Sequence, residues 1–122
     1  PVERRSILYV TSEISDFIKA GGLGEVSSAL PRALRGRYDV RVIIPGYRAV
    51  LAACGEIPVV ARLPGAFGLP ACDLGRVATK DGLVIYVLLC PDLYDREGSP
   101  YGDATGRDWA DNHIRFGRLG LA

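Results

Sequence analysis

The sequence predicts an open α/β sheet, mostly parallel and with flanking helices, and three observations carry that reading. Two short apolar runs, residues 6–11 and Asp39–Pro45, flank a segment of helical periodicity, the pattern of a βαβ unit with parallel strands and a right-handed crossover. A hairpin pattern lies further along, at residues 73–90. Two loops rich in Gly each follow an apolar strand-like run, and ligands of open α/β sheets bind beyond the carboxyl ends of the strands.

The elements follow in order. Residues 6–11, SILYVT, mix β-branched and aromatic residues, so a strand buried on both faces is expected. Leu23, Val26, Leu30 and Leu34 recur at spacings of three and four, the apolar stripe of an amphipathic helix. Pro31 lacks an N–H and disfavours helix at Leu30, so a kink or break is expected there. DVRVIIP is the second strand, stopped by Pro45 and Gly46. Residues 56–63 form a strand weakened by Pro58. In the hairpin, Lys80, Asp81 and Gly82 make the turn and residues 83–90 a buried strand.

A polar loop rich in Gly and Pro occupies residues 91–108. Loops of that length are often functional. Asp108 then stands where it would cap a last helix, on which Trp109 and Phe116, seven residues apart, would share a packing face. The loop after the first strand and the loop after the hairpin are expected to face each other across one crevice.

Composition narrows the function. A chain of 122 residues fits one domain, and 48% hydrophobic with 24% charged residues is ordinary for a folded soluble protein. A formal net charge of +1 gives no electrostatic case for nucleic acid or an anionic membrane. The run Glu3-Arg4-Arg5 reads as a solvated terminus. No apolar run approaches the ~20 residues of a membrane span, and the N-terminus lacks the features of a signal peptide, so a cytoplasmic location is expected. Cys54, Cys72 and Cys90 are odd in number and far apart, which suits small buried hydrophobes rather than a disulfide or metal motif. With His113 the only histidine, neither a metal site nor a cofactor is expected. The start at Pro1 without any Met, and an end inside an apolar helical pattern, suggest a piece of a longer protein.

The most informative stretch is KAGGLGE, residues 19–25. A helix N-terminus exposes backbone N–H groups and partial positive charge, glycines without Cβ allow a phosphate close approach, and Lys19 adds a full charge. The physical reading is a diphosphate cradle. The competing reading is a tight loop beside a solvated lysine, and spacing alone leaves both open. A dinucleotide fingerprint fits poorly. Gly22 lies well past the end of the first strand, and the second strand runs into Pro45 and Gly46 rather than an acid that would hold a ribose.

SEISDFIKAGGLGEVSSALPRAL resembles the start of bacterial glycogen synthases and plant starch synthases, which carry a Lys-x-Gly-Gly-Leu motif after the first strand. LYDREGSPYGD and DNHIRF resemble two further signatures of that group, in the same order and at similar spacing. The resemblance spans roughly residues 6–121. It implies a GT-B glycosyltransferase of two Rossmann-like domains facing a deep cleft, with residues 1–122 as part of the N-terminal domain and the nucleotide-binding C-terminal domain absent from this chain. It further implies transfer of glucose from ADP-glucose to the non-reducing end of an α-1,4-glucan, with retention and without a metal ion.

By resemblance the ADP-glucose lysine falls on Lys19, the motif glycines on Gly21 and Gly22, and Gly24 on a position that holds Gly or Ala. Glu25 stands where relatives usually have Asp, and Asp16 where they often have Pro. Tyr101 corresponds to a tyrosine near the sugar end of the cleft. The family's active-site His lies outside the match, and His113 does not correspond to it. Asn112 and Arg115 are expected to fasten the last helix to the glycine-rich loop, with a direct ligand role as the other reading, and Glu13 is either a site residue or a loop acceptor. Two alternatives stay open: another GT-B transferase of sucrose or trehalose metabolism, and a non-catalytic nucleotide- or glucan-binding module.

Overall fold

The computed structural model describes residues 4–122; of the charged N-terminal run, Arg4 and Arg5 are exposed and Glu3 lies outside the described residues. One five-stranded sheet runs in the order β1-β2-β5-β4-β3, with β1 at Ser6–Val10, β2 at Asp39–Pro45, β3 at Val59–Leu63, β4 at Cys72–Ala78 and β5 at Val84–Leu89. The pairs β1–β2 and β2–β5 are parallel, while β4–β5 and β3–β4 are antiparallel. The expected mostly parallel sheet is therefore a mixed one. The hairpin at Thr79–Gly82 is the reason: Gly82 takes φ 87° and reverses the chain within one short turn.

The central strands match their sequence. β2 and β5 form the centre of the core, where Val42, Ile44, Ile85, Val87 and Leu88 are fully buried together with Leu83 and Val50. Val50 belongs to α2 (Arg48–Cys54), a helix that the sequence pattern did not disclose. Pro58 stays outside β3, which begins one residue after it. Cys72 and Cys90 are buried and Cys54 partly so, and all three are free thiols.

β1 differs from expectation. It is an edge strand, and Leu8 and Val10 remain about half exposed instead of being buried on both faces. Helix α1 (Gly22–Leu34) departs in the same way. Its buried side is Gly24, Ser27 and Pro31, while the stripe of Leu23, Val26 and Leu30 is exposed. Small residues win the inner face because α1 packs closely: the Ser27 hydroxyl lies 2.8 Å from Thr11 Oγ1 and 3.5 Å from the Tyr9 hydroxyl. The helix also runs unbroken through Pro31. The missing Pro31 N–H removes one bond only, and the carbonyl of Pro31 still accepts the Arg35 amide at the helix end.

After β5 the chain makes one helical turn, α3 (Pro91–Tyr94), and then an irregular loop. The last helix, α4 (Asn112–Leu121), starts later than expected, with Asp111 and not Asp108 at its N-cap. Asp108 instead bridges Gly102 across a small backbone loop. Trp109 therefore precedes the helix and does not share a helical face with Phe116; its ring carries the Arg96 guanidinium at 4.9 Å. His113 is exposed on α4. Among the described residues no helix is long and apolar enough to cross a membrane.

Candidate functional site

The parallel strands β1, β2 and β5 send their carboxyl ends to one edge of the sheet, and the loops leaving β1 and β5 meet there at Glu13. Glu13 is 2% exposed. One carboxylate oxygen accepts the amides of Gly21 at 3.1 Å and Gly24 at 2.8 Å, and the other accepts the Tyr101 hydroxyl at 2.7 Å. Ser12 Oγ lies 2.7 Å from the same hydroxyl. Burial pushes the Glu13 pKa up, but the Tyr101 hydroxyl and the backbone amides outweigh it and hold the carboxyl below its ordinary value. Burial raises the Tyr101 hydroxyl above its usual value.

This arrangement corrects the expectation of an open helix N-terminus. Glu13 already occupies part of it, satisfying the amides of Gly21 and Gly24. Two first-turn amides remain: among the described residues nothing accepts from those of Gly22 and Leu23, both of which are exposed. A Cβ built on Gly21 or Gly22 would meet nothing within 4 Å, so open space lies beside these amides. Gly24 is different. A Cβ there would come within 3.2 Å of both Glu13 Oε1 and Lys19 Cγ, so Gly24 is small because the lysine stem and the carboxylate pack against it.

Lys19 and Glu25 lie together on the surface at the start of α1, with Lys19 Nζ 2.6 Å from Glu25 Oε1 and side chains 46% and 68% exposed. The lysine holds the Glu25 carboxyl below its usual value. An exposed single pair of this kind is weak and exchanges readily with solvent or another anion. The structure thus places Lys19, Gly21, Gly22, Gly24 and Glu25 in one group, with Tyr101 joined to it through Glu13.

The tyrosine side is held from below. Arg115, 1% exposed, donates to the carbonyls of Leu93 at 2.6 Å and Pro100 at 2.8 Å and to Asn112 Oδ1 at 2.7 Å. Asn112 Nδ2 donates to the Tyr101 carbonyl at 2.9 Å, and the Phe116 ring packs 5.7 Å from that of Tyr101. Both residues fasten α4 to the Gly- and Pro-rich loop that precedes it, through the carbonyls of Pro100 and Tyr101. Ser99 Oγ adds acceptor bonds to the amides of Tyr101 and Gly102. Gly98, at φ 115°, lets the chain turn where a Cβ would lie 2.4 Å from the Gly102 carbonyl.

Sequence reasoning weighed Glu13 but did not place it in the site. The available signal was its position just past a strand end, eight residues before the glycine whose amide it accepts. Ser12 gave no signal of its own.

A family model described as "Starch synthase catalytic domain" matches residues 6–122. The chain is 60% identical over 121 residues to a glycogen synthase of Pseudomonas syringae pv. syringae, covering 99% of this chain and 25% of the relative. It is 61% identical over 119 residues to one of Pseudomonas putida, covering 98% and 23%, and 52% identical over 122 residues to one of Pseudomonas aeruginosa, covering 100% and 24%. The chain spans about a quarter of the length of these curated relatives.

Proposed function

The chain belongs to the starch synthase catalytic domain family, and from that premise we propose that it forms part of the N-terminal Rossmann-like domain of a GT-B glycogen synthase. The reaction is transfer of glucose from ADP-glucose to the non-reducing end of an α-1,4-glucan with retention, carried out in the cytoplasm without a metal ion. The nucleotide-binding second domain lies outside these residues.

The observation that carries this reading is the exposed start of α1. A half-exposed lysine stands beside two exposed first-turn amides, and the space next to Gly22 is empty. Breaking the glucose–phosphate bond builds positive charge on the sugar and negative charge on the departing diphosphate. Lys19 Nζ and the amides of Gly22 and Leu23 are donors fixed where that negative charge grows. The diphosphate takes the place of Glu25 on Lys19. Tyr101, held by Glu13 and Ser12, lines the sugar end.

The test is incorporation of glucose into glycogen by the full-length protein, with ADP-glucose and UDP-glucose compared. Incorporation that prefers ADP-glucose supports the reading, and absence of glucosyl transfer from either donor overturns it. The 122-residue chain alone is expected to be inactive, since one wall of a cleft does not hold both reactants.

A further inference from the structure

We propose that Asp16 is a positioning residue for Lys19, acting through an ion-pair network that ties the lysine loop to the far end of the sheet. The inference rests on the donor-site reading above and adds to it the device that fixes the height and direction of the lysine.

Arg32, on α1, grips two carboxylates that come from different parts of the chain. Its Nη1 and Nη2 donate to Asp16 Oδ1 at 3.1 Å and Oδ2 at 2.7 Å, a two-pronged contact with the loop that carries Lys19. Its Nε and Nη2 donate to Asp81 Oδ2 at 2.8 Å and Oδ1 at 3.3 Å, in the β4–β5 turn. Arg35 reinforces that turn through the Asp81 carboxylate at 3.0 Å and carbonyl at 3.0 Å, and the Thr79 hydroxyl donates to Asp81 as well. The Ser28 hydroxyl donates to Asp16 at 2.7 Å. Two acids and two arginines make the cluster neutral as a set.

The lysine loop has further anchors, one of them the Gly21 amide on Glu13 Oε1 at 3.1 Å, two residues beyond Lys19. Ser15 N donates to the Gly24 carbonyl at 2.9 Å, and Ile14, fully buried, accepts the amides of Phe17 and Ile18. Among the described residues the Lys19 side chain has no hydrogen-bond partner other than Glu25, and its stem runs beside Gly24. Asp16 lies three residues before Lys19, so release of Asp16 loosens the segment that aims the ammonium. The Asp16 and Arg32 side chains are 20% and 26% exposed and the contact is two-pronged, so loss of the pair lowers the melting temperature too, and the melts separate that loss from the effect on kcat/KM. A displaced catalytic cation costs more, because misplacement by about 1 Å lowers rates severely.

The experiment is a double-mutant cycle on the full-length enzyme: wild type, Asp16→Asn, Lys19→Gln and both together, with kcat/KM for ADP-glucose and thermal melts. We expect Asp16→Asn to lower kcat/KM by about fivefold with Lys19 present and by less than about twofold in the Lys19→Gln background, because its effect passes through the lysine. Asp16→Glu, which keeps the charge, recovers part of the loss. Equal losses in both backgrounds, or no loss with Lys19 present, overturn the proposal while leaving the donor site intact. Full efficiency in Lys19→Gln instead overturns the donor-site reading itself, and the positioning role with it.

Discussion

The loop that leaves β1 and the loop that leaves β5 end at the same carboxylate but are built in opposite ways. The β5 loop is held by a buried guanidinium and an amide that grip its carbonyls at Leu93, Pro100 and Tyr101. The β1 loop is held by carboxylates, Glu13 on its amides and Asp16 on Arg32, and it ends in a half-exposed cation beside empty space. The tyrosine is therefore preorganised by groups that no ligand would reach. The lysine is left free to exchange its partner. One wall sets a fixed shape and the other offers a charge.

The largest effect expected from breaking this contrast is on folding, from the tyrosine side. Arg115→Ala strands buried carbonyls at Leu93 and Pro100 and removes the support of Tyr94, Trp109 and Phe116, so a loss of about 3 kcal/mol or more is expected in a denaturant melt. A melt within about 1 kcal/mol of wild type would show that the loop holds itself.

Next come two neighbouring glycines that should fail differently. A Cβ at Gly22 meets nothing within 4 Å, so Gly22→Val should leave the melt nearly unchanged while kcat/KM for ADP-glucose falls by about tenfold or more as its branches block the amides. Gly24→Val, against Glu13 and the Lys19 stem, should lower the melting temperature as well. If the two variants behave alike in both assays, the separation between open and packed glycine is wrong.

Much of this was legible in the sequence, and the exceptions share a cause. Asp39–Pro45 and the hairpin turn at Gly82 were readable because period and turn chemistry are local signals. The burial of β1 and the facing of α1 were not, because they depend on what covers Leu8, Val10, Val26 and Leu30. Apolar periodicity fixes which residues share a side, not which side meets the sheet. Asp108 was read as a cap for the same kind of reason: its bridge with Gly102 is a contact between loop residues that no pattern announces. At the site, Lys19 and its glycines were visible as a motif. Glu13 as their anchor was not, since a lone acid after a strand has no spacing signature.

A smaller effect is expected with pH. The Glu13 carboxyl lies below its ordinary value near 4.5 in the folded chain, so the stability it supplies is present above that pH and is lost as pH falls through the lower folded value. Thermal melts from pH 6 downward should show Glu13→Gln losing less stability than wild type, though not none, because Asp16 and Asp111 are also depressed. Parallel curves would mean that Glu13 is not ionised at the helix end. The smallest change is Tyr101→Phe, which removes the hydrogen bonds of the hydroxyl with Glu13 and Ser12 and should cost about 1–2 kcal/mol in the melt. A loss comparable with that of Arg115→Ala would mean that the tyrosine hydroxyl, and not the guanidinium, holds the β5 loop.

The contrast depends most on the lysine being free to take a diphosphate. The direct measurement is calorimetric affinity of the full-length enzyme for ADP, wild type against Lys19→Gln, with melts of both. The account predicts binding weaker by about ten- to a hundredfold, only partly restored in Lys19→Arg, with unchanged melts. Equal affinity for ADP at an unchanged melt would make Lys19 a solvated partner of Glu25 and nothing more.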